Sequence, residues 1–124
     1  MKKILVTGGA GYVGTTLIPM LLKREYEVTV LDSLIFGNGD RLIPFINNEN
    51  FSFVEGDIRD EKLVTSLVKG KDVIIHLAAY VGFPICRLKG ERESYEVNTQ
   101  ATRFLASVLE EEQYLLFGST GSNY

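Results

Sequence analysis

Cysteine is almost absent from this chain: Cys86 is the only one in 124 residues. That excludes an internal disulfide framework, and Cys86 has no spaced partners for a metal knuckle. An excess of positive charge is also missing. Lys and Arg number 13 against 16 Asp and Glu, a formal charge of −3, which argues against a phosphate-tracking surface for nucleic acid. No apolar run approaches the ~20 residues of a membrane span. After Lys2 and Lys3 the apolar stretch is only Ile4 to Val6, far too short for a signal peptide. The expected setting is therefore a reducing cytoplasm, with neither nucleic acid nor membrane as partner. Repeats, low-complexity tracts and linkers are lacking too, so the chain reads as one domain or part of one.

What is present is an ordinary globular composition, 45% apolar and 23% charged. Short apolar stretches alternate with helical patterns, which predicts an α/β fold around a mainly parallel sheet. The strand candidates are Lys3–Thr7, Glu27–Leu31, Phe51–Glu55, Asp72–Leu77 and Tyr114–Phe117. Most are aliphatic on both faces, as strands covered by helices on both sides should be. Val13, Leu17 and Leu21 predict a helix over Tyr12–Arg24 with that stripe inward, interrupted only by Pro19. Asp60 reads as the N-cap of a helix over Glu61–Lys69, with Leu63 and Leu67 inward and Gly70 as its stop. The longest helix is expected over Glu93–Glu111, burying Val97, Ala101, Phe104, Leu105 and Val108. Ser33–Asn50 reads as a loop holding one short helix. The right-handed crossover rule then predicts a doubly wound sheet in the order 3-2-1-4-5.

The sharpest motif opens the chain. Strand Ile4–Val6 runs into Thr7-Gly8-Gly9-Ala10-Gly11-Tyr12-Val13-Gly14 and directly into a helix. Gly9, Gly11 and Gly14 satisfy G-x-G-x-x-G, and Gly8, Gly11 and Gly14 the related G-x-x-G-x-x-G. Such a turn lets a pyrophosphate approach the backbone at Gly11, where the helix N-terminus offers free N–H groups. Asp32 follows Gly14 by 18 residues, at the end of the second strand. An acid there suits the adenosine ribose hydroxyls and would repel the 2′-phosphate of NADP. Ser33, Leu34 and Ile35 offer no compensating arginine. The expected cofactor is NAD.

With these residues in hand the chain resembles the extended short-chain dehydrogenase/reductases. The most similar branch is the NAD-dependent nucleotide-sugar epimerases and dehydratases of the UDP-glucose 4-epimerase type. Thr7 to Gly14 matches that family's T-G-G-x-G-x-[IV]-G, and Gly56-Asp57-Ile58-Arg59-Asp60 matches G-D-[IVL]-x-D. The resemblance implies a Rossmann-type fold, with Tyr12 and Val13 beside the cofactor, Asp57 on the adenine amino group and Ile58 against the ring. His76-Leu77-Ala78-Ala79 matches H-x-A-[AG], placing the cofactor against Leu77, Ala78 and Ala79 and leaving His76 a structural role. Val97-Asn98-Thr99-Gln100-Ala101-Thr102 resembles V-N-x-x-G-T, which implies a cofactor contact from Asn98. The family's glycine is Ala101 here.

Phe117 to Tyr124 resembles F-x-S-[ST]-x-x-V-Y-G, so Thr120 is implied as the active-site hydroxyl on the sugar's reacting oxygen. Gly121 and Ser122 stand where the dehydratase branch carries acids, which counts against dehydration. The family's catalytic Y-x-x-x-K lies beyond Tyr124, as does its nucleotide-sugar domain. The 124-residue piece alone is therefore expected to be inactive, and a sheet ending at its fifth strand would leave an open edge. For the full-length protein the resemblance implies epimerisation of a nucleotide-activated sugar through a transient keto-sugar, NAD accepting and returning hydride, in a homodimer. Two other readings stay open: a non-catalytic NAD-binding regulatory or scaffold protein, and an NADP-linked carbonyl reductase.

Overall fold

A computed structural model describes residues 2–35, 37, 39–79 and 88–118. Five strands form one parallel sheet: β1 (Lys3–Thr7), β2 (Glu27–Asp32), β3 (Phe51–Glu55), β4 (Val73–His76) and β5 (Tyr114–Phe117). Their spatial order is β3-β2-β1-β4-β5, as the crossover rule requires. β1 lies at the centre, with Val6 paired to Val30 on one side and Ile75 on the other.

Strand alternation sorts the core into two layers. Ile4, Val6, Val28 and Val30 face one way and pack with Ala10, Ile18 and Leu42. That layer is covered by α1 (Tyr12–Lys23) and a 3-10 helix over Gly39–Phe45. Leu5, Leu31 and Ile74 face the other way and pack with Val64, Val68, Val97, Ala101 and Leu105. Those residues come from α2 (Glu61–Val68) and from the long helical segment before β5. Burial of both sheet faces explains why the strands read as continuous apolar runs. Among the described residues no helix is long and apolar enough to cross a membrane.

The helices depart from expectation in three places. Along α1, Gly14 and Ile18 are buried and Leu17 and Leu21 partly so, but Val13 is 60% exposed. The inward stripe is thus rotated away from Val13, because Gly14 is the residue that must approach the turn. Pro19 is exposed within α1, and the helix runs on across it from Tyr12 to Lys23. The long helix starts at Glu91 as α3 (Glu91–Tyr95), widens to a π turn over Glu96–Gln100, and continues as α4 (Ala101–Ser107). It stops before the expected Glu111. Gln113 accounts for the stop: its Oε1 accepts the Glu110 N–H at 2.8 Å, while its Nε2 donates to Val68 and Lys71 carbonyls at 2.8 and 2.7 Å. One half-buried amide thereby turns the chain into β5 and closes the end of α2.

Candidate functional site

The C-terminal ends of the central strands open into a cleft of about 670 Å³, within the roughly 300–1,000 Å³ of small-molecule sites. It lies at the switch point between β1 and β4, where α1 covers one face of the sheet and the long helix after β4 the other, the usual ligand position in such folds.

The turn after β1 forms the floor. Gly8 has φ +73°, a region that a side chain rarely adopts, and a Cβ there would lie 2.7 Å from the Ala78 nitrogen. A Cβ on Gly14 would run into the backbone of Gly9, so only glycine lets α1 begin this close to the turn. Gly11 caps α1 without a side-chain bond, and the first turn carries no acidic residue. The N–H groups of Tyr12, Val13 and Gly14 therefore have no intrahelical partner and meet the cleft as an anion-seeking end. Tyr12 is 84% exposed beside them.

Asp32 stands at the end of β2 and is fixed from two directions. Its Oδ2 accepts the Ala10 N–H at 3.0 Å and its Oδ1 the Leu34 N–H at 2.8 Å. The carboxylate is thus tied to the glycine turn and keeps lone pairs toward the cleft. The turn after β3 brings Gly56, Asp57 and Ile58 to the same wall. Ile58 is also a core residue, packed with Leu5 and Leu31, so it presents an edge and not a free face. Asp57 is gripped by Arg59, whose Nη2 lies 2.7 Å from Oδ2. Hydrogen bonding to that guanidinium holds the Asp57 carboxyl below the ordinary carboxylate range, against a smaller opposing effect of burial.

β4 delivers His76, Leu77, Ala78 and Ala79. Leu77, Ala78 and Ala79 line the cleft; His76 does not, being 1% exposed. The Thr7 hydroxyl accepts the Leu77 and Ala78 N–H groups at 3.1 and 3.2 Å, which leaves its hydrogen for His76 Nδ1 at 2.6 Å. His76 Nε2 then donates to the Thr102 hydroxyl at 2.8 Å, and that hydroxyl donates to the Asn98 carbonyl at 3.1 Å. The chain of bonds assigns a neutral, Nε2-protonated ring, and burial pushes its pKa down to about 4. His76 is the internal brace that the sequence implied.

Gly118, just past β5, lines the cleft and donates its N–H to the His76 carbonyl at 3.1 Å. Thr120 lies outside the described residues. Asn98 is half-buried and is not among the residues lining the cleft. Arg41, Arg59 and Glu93 line it without having been singled out from sequence. Ser33, Leu34 and Ile35 supply no arginine, as expected, but Arg41 from the 3-10 helix also lines the cleft. Arg59 was visible inside the G-D-[IVL]-x-D motif; Arg41 carried no comparable signal. Among the described residues no group of His, Cys, Asp and Glu could hold a metal ion.

Residues 4–124 match the model of the NAD dependent epimerase/dehydratase family. The UDP-glucose 4-epimerase of Halalkalibacterium halodurans is 36% identical over 98% of this chain and 35% of its own length. The dTDP-glucose 4,6-dehydratase of Streptomyces niveus is 43% identical over 62% of this chain and 25% of its own. Among solved structures, the UDP-Glc/GlcNAc 4-epimerase of Campylobacter jejuni superposes with a TM-score of 0.86 at 29% identity, over 98% of this chain and 38% of that one. The chain thus spans a quarter to little more than a third of these relatives.

Proposed function

The chain belongs to the NAD dependent epimerase/dehydratase family, and on that premise we propose that it holds NAD across its strand ends and, in the full-length protein, serves the epimerisation of a nucleotide-activated sugar. The residues fit the cofactor. Unmet N–H groups at Tyr12, Val13 and Gly14 suit the pyrophosphate, with Gly8 and Gly11 giving it a bare backbone to lie on. Asp32 takes the ribose hydroxyls, Asp57 the adenine amino group, and Ile58 borders the ring. Leu77, Ala78, Ala79 and Gly118 would supply the mainly apolar wall against which the dinucleotide is held. When bound, the nicotinamide supplies reversible hydride acceptance; the chain's part is to seat it and, through the Thr120 hydroxyl, to hold the sugar oxygen. Gly121 and Ser122 favour epimerisation over dehydration, since neither side chain can serve as the acid that removal of water requires.

The observation that carries the cofactor assignment is the doubly anchored Asp32 carboxylate beside the glycine turn. Asp32→Ala in the full-length protein is expected to weaken NAD binding by about 1.5–3 kcal/mol, or roughly tenfold to a hundredfold. Charge reversal of Glu110 or Glu111, both remote from the cleft, leaves it unchanged. NADP is expected to bind more weakly than NAD to the wild type. Titration calorimetry decides, and unchanged NAD affinity in Asp32→Ala overturns the assignment. For the reaction, the NAD-loaded full-length protein is offered UDP- and dTDP-hexoses and the products are read by NMR. A 4-epimer without net NADH is the expected result; a 4-keto-6-deoxy sugar would assign dehydration instead.

A further inference from the structure

Arg59 wraps back onto Asp57 in the turn after β3. Its backbone N–H donates to Oδ1 at 2.8 Å, its Nε lies 3.1 Å from both carboxylate oxygens, and its Nη2 donates to Oδ2 at 2.7 Å. Its remaining nitrogen, Nη1, faces the long helix, 3.2 Å from Glu96 Oε1 and 3.6 Å from Glu93 Oε1. A carboxylate offers about four acceptor directions. The backbone N–H engages Oδ1, Nη2 engages Oδ2, and Nε lies between them, so both carboxylate oxygens are held from the Arg59 side. The two glutamates hold the guanidinium from the far side, so the fork and the carboxylate it grips form one braced unit.

We infer that Arg59 is a positioning residue that fixes the orientation of the Asp57 carboxylate and thereby makes the adenosine end of the cleft select a base with an exocyclic amino group over one with an oxo group. This rests on the reading that Asp57 meets the adenine amino group. An ionised carboxylate can only accept, so an amino N–H completes it, whereas an oxo group would turn its lone pairs against it. Near neutral pH the carboxyl is ionised, and the guanidinium lowers its pKa further, so Asp57 acts there only as an acceptor. Without the Arg59 guanidinium, the half-exposed carboxylate is held only at Oδ1 by the backbone N–H of residue 59, and the direction of Oδ2 is no longer set.

The test compares NAD with nicotinamide hypoxanthine dinucleotide, which differs in carrying an oxo group at that ring position, by titration calorimetry on the full-length protein. Wild type is expected to favour NAD by about tenfold or more. Asp57→Asn and Arg59→Gln should both bring the ratio toward one, and Arg59→Lys, which keeps the charge without the fork, should fall between. Lys62→Gln, an exposed charge change outside the cleft, should leave the ratio at its wild-type value. Equal affinities in wild type would overturn the adenine reading of Asp57 itself. A wild-type preference abolished by Asp57→Asn but untouched by Arg59→Gln would overturn the role of Arg59 alone. Should Arg59→Gln fail to fold, an unchanged ratio in Arg59→Lys overturns it equally.

Discussion

Thr120→Val in the full-length protein is expected to lower turnover by ~10²–10³, or about 2.7–4 kcal/mol, while NAD affinity stays at the wild-type level. Valine keeps the branched shape and removes only the hydroxyl, so the change isolates the donor we propose for the sugar's reacting oxygen. Such a donor acts where charge develops during hydride removal, and its loss is felt in the transition state more than in binding. Thr120 follows Gly118 by two residues in sequence, and Gly118 itself lies on the cleft wall, bonded to the His76 carbonyl. Thr120→Ser returns the hydroxyl without the methyl and should retain much of the activity. Steady-state kinetics with the true substrate decide the matter. Near-wild-type turnover for Thr120→Val would reduce this loop to a simple turn.

The strand order and the glycine turn were legible because each rests on local signals that agree. Five apolar runs at helix-length intervals admit few topologies, and the turn announces itself by three glycines between a strand and a helix. What was hidden depends on contacts distant in sequence. The brace on His76 joins residues 69 and 26 positions apart, so a lone histidine shows nothing of its partners. Arg41 lines the cleft from a 3-10 helix in a segment that reads from sequence mainly as loop. The π turn over Glu96–Gln100 inserts an extra residue into a helix whose apolar stripe otherwise reads as regular. The end of that helix was missed for the same reason: Gln113 stops it by reaching Val68 and Lys71, more than 40 positions away. Val13 was misplaced by a pattern that is correct for most helices. At a phosphate-type turn the steric demand of the glycine overrides the aliphatic stripe.

His76 gives the fold a pH dependence of its own. Unfolded, its imidazole titrates near 6.5; folded, burial lowers that to about 4. Between those values the unfolded chain holds a proton that the folded chain does not, so folding weakens as pH falls through that window and is at full strength above it. The whole shift corresponds to about 3 kcal/mol, a large part of a small domain's stability. The structural cause is specific. A second proton on Nδ1 would set an N–H against the Thr7 hydrogen, breaking the chain of bonds that ties the glycine turn to Ala78 and the long helix. His76→Asn can still accept from Thr7 but cannot titrate. It is expected to be less stable than wild type at pH 7, yet to lose much less between pH 7 and 4.5. Asp57 does not enter this interval, because its clamped carboxyl ionises below the ordinary carboxylate value. Urea unfolding of the full-length protein at several pH values across that range reads both slopes. Equal slopes for wild type and His76→Asn would place the acid sensitivity elsewhere and show that the buried ring is not its source.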